Sequence, residues 1–187
     1  MDGEPHDDAA RAVRRRARLL EDAPVAVPLR AGIAVCGPAP AAAAVARALA
    51  LQVCLAHPPG RVRVVGAGER DADALPARLP QREAAGGATL LVAPPGRSVP
   101  DDVDIPIVRV ADGAPPPPRC AAVLTLTAPG RARLEHGGAT REVRVEAVSA
   151  GQALTVAGEL AARAAQLGQR IDGAVAFADL PAAAPSA

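Results

Sequence analysis

Short apolar runs separated by glycine and proline define the first two thirds of the chain. Strands are predicted at Ala31–Cys36, Arg61–Val65, Thr89–Ala93 and Ile105–Val110, because each run is brief and rich in β-branched residues. The longer run Ala39–Ala56 lies between Gly37-Pro38 and Pro58-Pro59-Gly60 and predicts a helix. A shorter helix is predicted at Asp71–Leu79. This order predicts an α/β fold with a mainly parallel sheet flanked by helices.

The last third of the chain has a different pattern. Strands are predicted at Ala121–Thr127, Arg131–Glu135 and Glu142–Val148, with Pro129-Gly130 and Gly137-Gly138 as turns, and together they form a short antiparallel β-meander. Ser149 and Gln152 have the spacing of a capping box and predict the start of a final helix. We expect this helix to end near Gly168.

The two ends of the chain differ from its centre. Residues 1–22 are expected to form a tail and a short helix that holds five arginines between Arg11 and Arg18. Residues 23–180 are expected to form a single domain, and residues 181–187 a disordered tail. The polar start predicts no signal peptide. Arg47 and Gln52 interrupt the alanine-rich run Ala39–Ala56, so we expect no membrane insertion. Widely spaced cysteines that fit reduced, buried thiols predict a cytoplasmic protein.

Composition excludes several kinds of chemistry. The 187 residues include 47 Ala but no Lys and no Asn. Lysine Schiff bases and a phosphate-binding P-loop lysine are therefore excluded. Cys36, Cys54 and Cys120 are widely spaced within apolar runs, which predicts reduced, buried thiols and no zinc site.

The first turn from strand to helix is the most informative site, because nucleotide-binding α/β folds hold phosphate there. A functional P-loop reads G-x-x-x-x-G-K-[ST], in which glycine amides and lysine bind phosphate and the hydroxyl binds Mg²⁺. Gly37 occupies the first glycine position, but Ala42, Ala43 and Ala44 stand where Gly, Lys and Ser/Thr are needed. The sequence predicts the topology of a P-loop without its phosphate-binding side chains.

The second nucleotide motif is degenerate in the same way. A Walker B strand ends in an acid that orders Mg²⁺ and the attacking water. The matching strand ends at Ala93 and Pro94. We therefore predict no catalytic residues, no bound nucleotide, no metal and no other cofactor.

Three weaker patterns have ordinary structural interpretations. Gly66-Ala67-Gly68 is similar to part of a dinucleotide-binding turn, but position 71 is Asp. Asp101, Asp102 and Asp104 lack the spacing of a calcium loop and predict a solvated turn. His6, His57 and His136 are far apart in sequence, and His57 is expected to cap the C-terminus of a helix.

The first strand and turn hold Gly32, Ile33, Val35 and Gly37 in the pattern G-I-x-V-x-G. The following helix and its end hold the pattern R-A-L-x-x-Q-x-x-x-x-H-x-P, at Arg47, Ala48, Leu49, Gln52, His57 and Pro59. With these motifs, residues 25–180 resemble the degenerate ATPase-like modules of actinobacterial FtsK/SpoIIIE-type proteins, a family that includes the EccC ATPases of type VII secretion. The stretches RCAAVLTLTAPGRARL and EAVSAGQALTVAGELAARAAQL and the ending FADL resemble the family's meander, its next helix and its passage into a following module.

The resemblance implies a P-loop-NTPase-like sheet without catalysis, acting as a structural or regulatory part of a DNA or protein translocation motor. The expected partner is an active motor ATPase, which could recruit the chain to a membrane. The alternative is a protein-binding adaptor that uses the Pro115–Pro118 segment or a sheet edge. Two further hypotheses are dinucleotide binding at Gly66–Asp71 and DNA binding through the N-terminal arginines, although nucleic acid is the less expected partner.

Overall fold

The computed structural model describes residues 24–65, 75–84 and 86–172, in which strands and helices alternate as an α/β fold. The strands are β1 (Ile33–Cys36), β2 (Val62–Val65), β3 (Ala88–Ala93), β4 (Ile105–Val110), β5 (Ala122–Ala128), β6 (Arg131–His136) and β7 (Ala139–Arg144). The helices are α1 (Ala39–Ala56), the one-turn α2 (Leu75–Arg78) and α3 (Ala150–Asp172). Leu29–Ala31 and Pro80–Glu83 form 3₁₀ turns.

All seven strands form one mixed sheet in the order β2-β3-β4-β1-β5-β6-β7. In this spatial order, every neighbouring pair from β2 through β3, β4 and β1 to β5 is parallel. Strands β6 and β7 then extend the sheet at one edge in antiparallel orientation. Within the parallel part, β1 is central: Ile33 pairs with Ile107 of β4 on one side and with Ala122 of β5 on the other. The α/β class, the mainly parallel sheet and the antiparallel meander are therefore confirmed.

The three helices pack on the same face of this sheet. Side chains of α1, α3 and the segment around α2 share one apolar cluster with Val35, Leu90, Ile107 and Leu124 from the strands. A smaller cluster covers the opposite face and includes Ala34, Leu91, Ala93, Val103, Val108, Val110 and Cys120. Among the described residues, the loops after β3 and β4 contribute to this second cluster, and no helix does.

The central helix α1 has the bounds that the sequence predicted. It begins after Pro38 and ends before His57, whose backbone N–H donates to the carbonyl of Val53 at 3.0 Å. Within the part of the chain that the structure describes, α1 is the one helix long and apolar enough to span a membrane. However, half of that apolar window is buried inside the protein, so α1 has the packing of a core helix.

Two predicted elements have bounds that differ from the structure by three residues or more. The last strand is Ala139–Arg144, three residues earlier than predicted, because Gly137 and Gly138 have φ values of 58° and 75° and close a two-residue hairpin directly after His136. The final helix begins with the predicted capping box, in which the Gln152 N–H donates to Ser149 Oγ at 3.3 Å. It continues past Gly168 to Asp172, because a single glycine costs a helix only about 1 kcal/mol.

Two buried polar side chains tie loops to this framework. Gln81, 1% exposed, donates through Nε2 to the carbonyls of Cys54 and His57 at 2.9 and 3.2 Å and caps the C-terminal end of α1. Thr89, 6% exposed, joins the start of β3 to the loop before β4. Its hydroxyl lies 2.6 Å from the carbonyl of Asp102 and accepts the N–H of Asp104 at 2.9 Å.

Several predictions concern residues outside the described ranges. They are the N-terminal tail and arginine-rich helix within residues 1–22, the turn at Gly66–Gly68, residues 71–74 of the predicted short helix, and the end of the chain from residue 173. The remaining part of the predicted short helix is α2.

Candidate functional site

The turn between β1 and α1 lies at the carboxyl edge of the parallel strands, where α/β folds place their ligands. Only Gly37 and Pro38 separate the strand from the helix. Gly37 has a φ of 146°, and a Cβ added to it would lie 3.0 Å from Cβ of Leu126 on β5. An apolar side chain therefore packs against the first glycine position of the degenerate P-loop.

The N-terminus of α1 presents few groups that could hold phosphate. The first four N–H groups of a helix have no partner inside it, and here Pro38 and Pro40 remove two of those four. No side chain caps this end of the helix. The arrangement leaves little of the anion-binding capacity that a helix N-terminus usually has.

The three alanines of the degenerate motif lie in the first turns of α1. Ala42 and Ala43 are 2% and 9% exposed and pack toward the interior. Ala44 is half-buried, and its carbonyl accepts the N–H of Val148 at 3.1 Å. The segment just before α3 therefore passes over the first turns of α1. These positions supply apolar contacts where a P-loop has a cation and a hydroxyl.

The second degenerate position is separate from the first. Ala93, 0% exposed, is the last residue of β3, and Pro94 follows it. Strand β4 lies between β3 and β1, and Ala93 packs in the cluster on the sheet face opposite α1. The structure therefore does not bring Ala93 together with Ala42 and Ala43 on one face.

One cation that was not among the predicted site residues lies next to β1 in the sheet. Arg109 pairs in register with Val35, one residue before the end of β1. Its Nε is buried and has no hydrogen-bond partner in the described part of the chain. The only sequence signal for this cation was that Arg109 is the one polar residue in the strand Ile105–Val110.

The thiols are poorly suited to nucleophilic or metal chemistry. Burial raises the pKa of Cys54 to about 12 and that of Cys120 to about 11. Burial, with smaller contributions from the charges of Asp112 and Glu135, also raises the pKa of the half-buried Cys36. All three are free thiols, as predicted, and Cys36 is more exposed than expected. Among the described residues, no group of three or more His, Cys, Asp and Glu side chains could hold a metal ion.

The acidic loop 101–104 has a structural contact beyond the predicted solvated turn. Asp101 and Asp102 are exposed, as expected for a solvated turn. Asp104 is instead half-buried, and its carboxylate accepts the N–H of Thr89 at 3.0 Å. The hydrogen bonds from Thr89 hold the pKa of Asp104 below its ordinary value. The sequence signal for this contact was that Thr89 is the one polar residue in the strand Ala88–Ala93.

A groove of about 1240 Å³ lies at the other end of α1, on the helix-covered face of the sheet. The segment 24–29, the C-terminal half of α1, the first residues of β1 and β4, and the β6–β7 hairpin line it. Both apolar and polar residues form its walls, and the polar ones include Gln52, His57 and Arg141. This groove could not be predicted from the sequence, because its walls come from segments far apart in the chain.

Comparison with known proteins adds no family to this description. No protein-family model matches the chain, and no curated protein matches it.

Proposed function

We propose that this chain is a non-catalytic, pseudo-ATPase module with a structural or regulatory role in a translocation motor of the FtsK/SpoIIIE or type VII secretion kind. The observation that carries the proposal is the β1–α1 turn. It has the position of a phosphate-binding loop, yet prolines and alanines replace the groups that would bind phosphate.

The end of β3 supports the same proposal. Ala93 and Pro94 offer no carboxylate to order Mg²⁺ or water. The two positions independently favour a module that does not turn over ATP.

The proposed partner is an active motor ATPase, and the proposed location is the cytoplasm, with recruitment to a membrane through that partner. A module without turnover can act by packing more tightly against one state of an active neighbour than against another. The coupling free energy between the two then changes the neighbour's activity.

The first test separates catalysis from scaffolding. The purified full chain is assayed for ATP turnover with Mg²⁺, and ATP binding is measured by calorimetry. We expect neither. ATP turnover by the purified chain would overturn the proposal. Where binding alone is found, Arg109→Ala is the matched variant, because Arg109 is the cation beside β1. Loss of binding in that variant would establish a nucleotide site without turnover, and the prediction of no bound nucleotide would then be wrong.

The second test asks whether the partner is a motor. The tagged full chain is used for affinity capture from the lysate of its own cells, and captured ATPases are then purified. We expect a motor ATPase whose turnover changes when the chain is added. An enriched set that contains no motor component would contradict this part of the proposal.

The alternative function is a protein-binding adaptor. Pro115, Pro116 and Pro118 are exposed in the connection between β4 and β5, outside the helices and strands. Exposed proline segments of this kind can dock in aromatic grooves of partner proteins. Replacing Pro115–Pro118 by alanine would abolish capture of the partner if the adaptor function is correct. Unchanged capture of the partner by this variant would exclude binding through the proline segment.

A further inference from the structure

We infer that residues 9–20 of this chain dock as an amphipathic helix in the groove beside α1 and close it. This segment lies outside the described ranges, and it belongs to the arginine-rich helix that the sequence predicts. Only residues 21–23 separate it from Pro24, which is itself part of the groove wall. Three residues span at most about 11 Å, so the segment starts its path at the groove.

The groove has room for a further helix. Of the three described helices, only α1 lines it, and the β6–β7 hairpin forms another wall. Helices normally cover the apolar faces of the sheet in α/β folds. A helix over residues 9–20 is about 18 Å long, and six residues of β6 or β7 extend about 20 Å. The segment therefore matches the hairpin wall in length.

Apolar surface is left uncovered at this groove. Val25 and Leu29 line it and are 43% and 40% exposed. On the α1 wall, Leu49 is half-buried and Ala56 is exposed. Covering such side chains removes apolar surface from water, which is favourable. The groove therefore favours an occupant with an apolar face.

The segment carries an apolar stripe with helical spacing. Residues at intervals of four, four and three share one face of the predicted helix: Ala9, Val13, Ala17 and Leu20. Arg11, Arg15 and Arg18 lie on the opposite face. Three arginines and two glutamates are among the residues that line the groove, so an arginine face turned inward would meet like charges. The apolar stripe and the charges thus select the same rotation of the helix.

The short tether makes this segment, and not a separate molecule, the occupant. A stripe of two alanines, one valine and one leucine buries too little area for tight binding between separate chains. A tether of a few residues gives an effective concentration of about 1 mM, so a second copy at about 1 μM competes at a disadvantage of about a thousandfold. While the segment is docked, a partner reaches the groove only by displacing it.

Cysteine labelling of the full chain tests whether the groove is covered. In a Cys36→Ser background, Gln52→Cys places a thiol on the groove wall. Leu55→Cys is the matched control, because Leu55 is 60% exposed on the same helix and does not line the groove. A soluble disulfide reagent should label Gln52→Cys at least about tenfold more slowly than Leu55→Cys, since a groove covered about 90% of the time reacts only when it opens.

Changes within the segment test what covers the groove. Val13→Glu combined with Leu20→Glu puts charges in the apolar stripe, so the labelling rate of Gln52→Cys should rise to that of Leu55→Cys. Arg15→Gln combined with Arg18→Gln is the matched control on the opposite face and should leave the slow rate unchanged. Circular dichroism is recorded for each variant, so that only folded proteins are compared.

Three results would overturn the inference. One is equal labelling of Gln52→Cys and Leu55→Cys in the full chain, because the groove would then be open. Another is slow labelling of Gln52→Cys that Val13→Glu with Leu20→Glu does not change, since a different group would then cover the groove. The third is protection that disappears on dilution from about 100 μM to about 1 μM, because the occupant would then come from a second copy.

Discussion

Replacing Thr89 by valine tests whether the contact between β3 and the loop before β4 stabilises the fold. The substitution keeps the shape of a 6% exposed side chain and removes its hydroxyl. The one proton of that hydroxyl faces both the carbonyl of Asp102 at 2.6 Å and Oδ2 of Asp104 at 3.1 Å, and its oxygen accepts the N–H of Asp104 at 2.9 Å. The substitution therefore removes one donated and one accepted hydrogen bond. A hydrogen bond contributes about 0.5–1.5 kcal/mol net, so the free energy of unfolding should fall by about 1–3 kcal/mol.

The assay is urea unfolding followed by far-ultraviolet circular dichroism, because the chain has no Trp or Tyr to give a fluorescence signal. The midpoint should fall without a change in the denaturant slope. Thr127→Val, at an exposed position near the end of β5, is the matched control and should change stability by no more than about 0.5 kcal/mol. If Thr89→Val unfolds at the same urea concentration as this control, the Thr89 hydroxyl does not stabilise the fold.

Three other predictions follow from buried or shielded groups. Because hydrogen bonds from Thr89 lower the folded pKa of Asp104 below its ordinary 3.8, this carboxylate stabilises the protein above that pH and loses the effect as the pH falls through its lower folded value. The stability gap between wild type and Asp104→Asn, measured in urea, should therefore shrink between pH 7 and pH 3, and a constant gap would contradict the assignment. Gln81→Leu should lower the free energy of unfolding by about 1–3 kcal/mol, because the carbonyls of Cys54 and His57 lose their donor. Gln81→Glu should lower the free energy of unfolding further at pH 7 and less in acid, where the carboxyl is protonated and can donate. Equal losses at both pH values would contradict the role of Gln81 as a cap. A soluble disulfide reagent should label Cys36 in the native protein and reach Cys54 and Cys120 only on unfolding, whereas equal labelling rates would contradict their burial.

The order of elements could be predicted from the sequence because strong local signals bound them. Gly37-Pro38 and Pro58-Pro59-Gly60 enclose α1, and the structure places both of its ends at the predicted residues. The capping box at Ser149 likewise fixed the start of α3. These signals act through backbone geometry within a few residues, so they do not depend on the rest of the fold.

The wrong bounds came from weaker local signals. Residues 142–148 hold more β-branched side chains than residues 139–141, which favours a strand at 142–148. However, the two glycines after His136 close a tight turn, so pairing between β6 and β7 begins directly at Ala139. Gly168 was interpreted as the end of a helix, although a glycine stops a helix only when the chain must turn there.

Long-range contacts could not be predicted from one sequence. Nothing in Ile105–Val110 indicates that it pairs between β3 and β1, and the separation of Ala93 from the α1 turn depends on that placement. Gln81 lies in a polar segment with no pattern that indicates burial, and its partners are 27 and 24 residues away. The groove also depends on such contacts, since it joins residues 24–29 to the β6–β7 hairpin.

The alanines on the inner side of α1 restrict how this protein can change during evolution. Ala42, Ala46 and Ala50 are 0–2% exposed, so methyl groups alone separate much of the helix from its neighbours. An interior filled to crystal-like density accepts no larger side chain without moving the backbone, and such overpacking costs about 1–3 kcal/mol. Mutational drift on the inner side of this helix is therefore one-sided, because almost every accepted change must preserve small size.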